Sequence, residues 1–126
     1  MILLDTSTIL FWTFAPEKLS KPAVAAMEEN ATLLINAISL WEIGWKIRQG
    51  KLSLPMDIHD YASHLKEADR VEIQSTDLKI WLHSIDLDWA HRDPADRIIV
   101  AAADLLGCPL ISSDRRIREF YPLAIW

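Results

Sequence analysis

The amino-acid sequence predicts an α/β domain of three layers, with a mostly parallel, about five-stranded central sheet flanked by helices. Three observations carry this expectation. Short apolar runs alternate with longer amphipathic ones along the chain, the order produced by strands and crossover helices. The short runs, Ile2–Leu4 among them, are continuously apolar rather than alternating, as in strands covered by helices on both faces. The 126 residues also have the length of one domain, 1–126. A chain of that size buries roughly two thirds of its unfolded surface on folding.

The elements follow in order. Ile2 to Leu4 reads as a first strand, and Thr8 to Phe14 as a short helix. Lys21 to Glu29 is a helix with Pro22 in its first turn, where the missing N–H removes no helical bond. Thr32 to Ile35 is a second strand. Ser39 to Gln49 is a helix that Gly50 stops. Asp57 to Ala68 is the next helix, Val71 to Ile73 a short edge strand, and Thr76 to Ile85 a helix with Trp81 and Ile85 on one face. Pro94 to Leu106 is a helix ended by Gly107. Pro109 to Ser112 is a strand, Arg115 to Phe120 a short helix, and Leu123 to Ile125 a last strand. With three glycines and scattered prolines, no repeat or linker interrupts this succession.

Composition narrows the class. A hydrophobic share of 51% with 25% charged residues is that of an ordinary soluble globular protein. The net charge of −5 provides no global basic field, so any attraction for phosphate must come from local cations or bound metal. The single cysteine, Cys108, permits no internal disulfide and suits a reducing cytoplasm. The opening apolar run lacks a basic flank and is broken by Asp5, unlike a signal peptide. No stretch approaches the ~20 apolar residues that cross a bilayer. A cytoplasmic protein without membrane contact is therefore expected.

The acids fall in one place. In a parallel α/β domain every helix N-terminus lies at the carboxyl edge of the sheet, where ligands bind at the reversal of strand order. Asp5 ends the first strand, and Glu42 sits in the first turn of the helix after the second. Asp93 and Asp96 open the Pro94 helix, and Asp114 follows the Pro109 strand. Each has a plain alternative as a helix cap: Asp5 with Thr6 or Ser7, the Ser39-Leu40-Trp41-Glu42 capping box, the Asp93-Pro94-Ala95-Asp96 turn, and Asp114 itself. Gathered at one edge, however, carboxylates raise one another's pKa unless a cation is present. Oxygen ligands without His or Cys suit Mg2+ or Mn2+ rather than zinc. A carboxylate crevice holding such a metal is a phosphodiester-cleaving arrangement.

These stretches together resemble the PIN-domain family, in particular the VapC toxins of bacterial toxin–antitoxin systems, over almost the whole chain. Met1-Ile2-Leu3-Leu4-Asp5-Thr6-Ser7 resembles the first motif and Ser39-Leu40-Trp41-Glu42-Ile43 the second. His91-Arg92-Asp93-Pro94-Ala95-Asp96-Arg97 is similar to the stretch in which the second Asp is the ligand, and Leu110-Ile111-Ser112-Ser113-Asp114 to the last motif. Ala95 departs from the Phe usual in that subgroup, which touches packing but no ligand. The resemblance implies an endoribonuclease in which Asp5, Glu42, Asp96 and Asp114 hold one or two Mg2+ or Mn2+ ions. It also implies an RNA substrate, in-line attack by water leaving a 5′-phosphate, a VapB-like antitoxin partner and a homodimer. Thr6, Asp93 and Ser112 would support these ligands from behind. Arg97 and Arg115, each beside a proposed ligand, are the expected phosphate contacts.

Other residues read plainly. His91 is expected to bond within its loop, and His59, His64 and His83 to face solvent. Cys108 reads as a small buried apolar group. Of Phe11, Trp12, Trp41 and Trp45, one or two are expected to stay exposed as a partner groove. Two other functions remain open. A phosphatase or receiver domain also uses strand-end Asp, but the former wants an acid where Ser7 stands and the latter a late Lys, and no Lys follows Lys79. The other is a PIN fold that serves only as a binding module.

Overall fold

The computed structural model describes residues 1–126. Five strands form one sheet: β1 (Ile2–Leu4), β2 (Leu33–Asn36), β3 (Val71–Gln74), β4 (Leu110–Ile111) and β5 (Ala124–Ile125). Seven helices connect them: α1 (Thr6–Phe14), α2 (Lys21–Glu29), α3 (Ala37–Arg48), α4 (Ile58–Glu67), α5 (Leu78–Asp86), α6 (Pro94–Leu106) and α7 (Arg115–Phe120). The sheet order is β3-β2-β1-β4-β5, and every pairing is parallel.

The pleat of β1 sorts the core. Side chains alternate along a strand, so Ile2 and Leu4 point one way and Leu3 the other. Ile2 and Leu4 pack with Leu33 and Ile35 against Ile9 of α1, Met27 of α2, Ile43 of α3 and Leu65 of α4. Leu3 packs with Leu34 and Leu110 against Ile98–Ala103 of α6, Ile117 of α7 and Ile80 of α5. Two helical layers thus sandwich the sheet, which is the three-layer arrangement expected. All three β1 residues are fully buried, consistent with their unbroken apolar run.

Caps fix the helix starts. Asp5 accepts from the Thr8 amide at 2.8 Å, so α1 begins at Thr6 rather than Thr8. Asn36 accepts from the Ile38 amide at 2.9 Å, so α3 begins at Ala37. The Ser39 capping box therefore does not form. Glu42 lies in the second turn of α3, not the first. Asp93 caps α6 through the Asp96 amide at 3.0 Å, with Pro94 next in line. Gly107 ends that helix at φ 62°, a left-handed conformation that an L side chain resists.

Candidate metal centre at the sheet edge

Strand order reverses between β1 and β4: the chain leaves β1 toward β2 on one side and β4 toward β5 on the other. Asp5 follows β1 and Ser112–Asp114 follow β4 at this switch point. The Asp5 amide donates to the Ile111 carbonyl at 3.1 Å, and the buried Thr8 hydroxyl donates to the same oxygen at 3.1 Å. The end of β1 is thereby tied to the end of β4.

The tightest group here comprises His91, Asp96 and Asp114, whose ligating atoms all lie within 4.8 Å of one another. His91 Nε2 is 2.7 Å from Asp96 Oδ2, with the imidazole 8% and the Asp96 side chain 20% exposed. Burial pushes the Asp96 carboxyl up to about 6, opposed by the His91 hydrogen bond and reinforced by the charges of Asp93 and Asp114. Asp5 is almost fully enclosed. Burial raises it also, hydrogen bonds from Ser112 and Thr8 oppose the rise, and the Asp114 charge adds to it. Burial acts on Asp114 in the same sense, but there the hydrogen bonds and charge of Arg116 outweigh it and hold the carboxyl below its usual range. Asp5, Asp96 and Asp114 thus form one electrostatic group, brought from positions far apart in sequence.

Glu42 stands to the side. It is half-buried and lines an open cavity of about 530 Å³ with Asp93, Ala95, Trp41 and Trp81. The cavity is mostly apolar where Ala95 presents only a methyl group.

The supporting residues divide. Ser112 is buried, and its hydroxyl accepts from the Asp114 amide at 3.1 Å, which shapes the turn carrying that acid. Thr6 donates to Ser39 Oγ at 3.0 Å, linking the first turn of α1 to the first turn of α3. Arg97, expected at the phosphate, is committed elsewhere. Its guanidinium donates to the carbonyls of Ser84, Ile85, Leu87, Trp89 and His91, at 2.6–3.3 Å. Helical neighbours diverge by about 100°, so Arg97 points away from Asp96 into the preceding loop. Arg115 extends into solvent and pairs with Glu119 at 2.8 Å. The cation beside the acids is Arg116, whose guanidinium reaches Asp114 at 3.3 Å.

Two residues at the centre were thus not singled out for it by the sequence: His91 and Arg116. The available signals were weak. His91 opens the same motif as Asp96, and Arg116 is the second residue of the helix that Asp114 caps.

A hard divalent cation fits these residues. They offer several carboxylate oxygens at one edge of the sheet, and burial together with neighbouring negative charge penalises the charged form of Asp5 and Asp96. A cation relieves both penalties.

Comparison with known proteins agrees with this architecture. Residues 2–122 match the PIN domain family, and the chain belongs to that family. Ribonuclease VapC22 of Mycobacterium tuberculosis (strain ATCC 25618 / H37Rv) is 29% identical over 128 residues, covering 99% of this chain and 98% of the relative. Among solved structures, a toxin–antitoxin complex from Klebsiella pneumoniae superposes with a TM-score of 0.69 at 18% identity, covering 100% of this chain and 97% of the other. VapBC2 from Rickettsia felis, bound to a DNA fragment from its promoter, gives 0.68 at 16% identity over 98% and 96% of the two chains. These structural likenesses establish the shared fold.

Proposed function

We propose that this protein is an endoribonuclease and the toxin of a VapBC-type toxin–antitoxin pair, with residues 1–126 acting as one unit. The observation that carries the reading is the grouping of Asp5, Asp96 and Asp114 at the β1/β4 switch point of a PIN domain. Its kinship with Ribonuclease VapC22, nearly end to end, supports the activity. Structural neighbours described as toxin–antitoxin complexes support a VapB-like partner. No helix is long and apolar enough to cross a membrane.

Asp5, Asp96 and Asp114, with Glu42 from α3, would hold Mg2+ or Mn2+. Such an ion supplies charge neutralisation at the scissile phosphate and activation of the attacking water. The chain's own contribution is geometric and electrostatic. Asp5 is fixed by the α1 cap, Asp114 by Ser112, and Asp96 by the Asp93 cap at the start of α6. Arg116 supplies a positive group beside the acids, suited to a phosphate oxygen of RNA. Leu78, Trp81, Leu82 and Ile85 leave an apolar stripe exposed along α5 at helical spacing, a face suited to a homodimer.

The test is cleavage of RNA by the purified protein in Mg2+ or Mn2+, with and without EDTA. Asp5→Asn, Asp96→Asn and Asp114→Asn are expected to lose activity by at least about 100-fold while remaining folded. Cleavage by the wild type that persists in EDTA, or cleavage at the wild-type rate by these folded variants, would overturn the assignment.

A further inference from the structure

We propose that His91 is a positioning residue for Asp96: its Nε2–H holds one carboxylate oxygen and thereby presents the other to a cation. The inference rests on the metal-dependent nuclease reading and assigns a role that the four-acid site lacks. A carboxylate has no proton to give, so in the 2.7 Å contact between Nε2 and Asp96 Oδ2 the imidazole is the donor. No other side chain donates to that carboxylate. The terminal torsion of an aspartate is broad, so without this bond the Asp96 oxygens are free to turn.

His91 itself is held from two directions. Its carbonyl accepts from Arg97 Nη1 at 3.0 Å, and the same nitrogen holds the Trp89 carbonyl at 2.6 Å. Its ring lies 4.8 Å from that of Trp89, tilted by 57°, and Trp89 in turn stacks on Phe120 at 4.8 Å and 12°. Phe120 closes α7, the helix that Asp114 caps. One rigid train of groups therefore runs from α7 through Phe120, Trp89 and His91 to Asp96 on α6. It sets the two acids relative to each other although neither bonds the other. This also accounts for Arg97: the residue next to a ligand serves the site by shaping the loop that carries His91.

The experiment separates the nitrogen from the ring. His91→Phe keeps an aromatic ring against Trp89 and removes the donor; His91→Gln removes the ring and restores an N–H. Mn2+ binding by the full chain is measured by calorimetry at pH 7.5 for the wild type, both variants and Asp96→Asn, with melting temperatures taken in EDTA. His91→Phe is expected to bind Mn2+ about 10–100-fold more weakly than the wild type, the usual cost of losing a group that orients a ligand, and to melt close to it. His91→Gln is expected to recover most of that affinity. Wild-type affinity in His91→Phe, with Asp96→Asn impaired, would overturn the positioning role and leave the nuclease reading standing. Equal loss in both His91 variants, or strong 14N coupling in the Mn2+ spectrum of the wild type, would overturn it in favour of direct ligation. A wild type that binds no Mn2+ would remove the metal-dependent reading and this one together.

Discussion

Asp96→Asn is expected to stabilise the metal-free protein at neutral pH. Asp96 has a carboxyl raised from 3.8 to about 6, first by burial and then by Asp93 and Asp114. A raised acid favours folding only while it is protonated. Its contribution is full below about 3.8, and it is lost as pH rises through about 6. Above that window the folded protein carries a buried charge at a cost of about 3 kcal/mol, taking about 1.36 kcal/mol per pH unit over the interval. Asn has the same shape and still offers an oxygen to His91 Nε2–H, but never ionises. In EDTA at pH 7.5 the variant should therefore be more stable by about 1–3 kcal/mol, or a melting temperature higher by about 4 °C per kcal/mol. The assay is urea denaturation followed by tryptophan fluorescence at pH 4.5, 6 and 7.5. The gap should be widest at pH 7.5 and shrink to about a third of that at pH 4.5. Adding Mn2+ at 1,000 times the wild-type Kd should reverse the order, because the wild type then gains about 4.1 kcal/mol of binding free energy and the impaired variant gains less. A variant less stable than the wild type at pH 7.5 in EDTA, by an amount independent of pH, would refute the argument that burial and neighbouring charge strain this acid.

The remaining expectations are simpler. Arg97→Met should cost about 2–4 kcal/mol in urea denaturation, since two carbonyls in the last turn of α5 and three in the loop after it lose their donor, whereas Arg115→Ala should stay within about 0.5 kcal/mol. Equal effects would contradict the clamp. Asp93→Ala removes the α6 cap and should cost about 1 kcal/mol while sparing part of the RNA cleavage, measured on the same preparation. Expression in a bacterial host lacking the antitoxin should arrest growth for the wild type but not for Asp5→Ala. Equal growth at equal soluble expression would count against a toxin while leaving a nuclease intact.

At three helices the local chemistry disclosed the boundaries in the sequence. α2, α6 and α7 run over the residues their signals mark: Pro22, the Asp93-Pro94 start with its Gly107 stop, and Asp114. The start of α3 was hidden because Asn36 is both the last residue of β2 and the helix cap. The more familiar Ser39…Glu42 pattern drew attention from it, while Ser39 is in fact buried against Thr6. The gathering of Asp5, Asp96 and Asp114 was legible because chain topology alone delivers strand ends and helix starts to one edge, whereas Glu42, a turn further along α3, lines the neighbouring cavity. Arg97, His91 and Arg116 were not legible, because their roles depend on the direction of a side chain. The sequence places Arg97 beside Asp96, but one helical step turns it toward the loop. Exposure of aromatics was foreseen in kind: Trp41 and Trp45 are exposed and stacked at 6.2 Å, while Phe11 and Trp12 are partly buried.

The pairing of β1 with β4 makes the centre late to form as well as compact. Ile2–Leu4 waits for Leu110–Ile111 to arrive as its neighbour, across more than a hundred intervening residues. Contacts of such separation close slowly, since the loop entropy is lost before the contacts are gained. During synthesis, a growing chain that ends between Gln74 and Leu110 has β1, β2 and β3 but neither Asp114 nor the Ser112 turn. Every such partial product lacks an essential part of the centre. On the nuclease reading proposed above, a nascent chain has no complete centre until the fourth strand has been laid into the middle of the sheet.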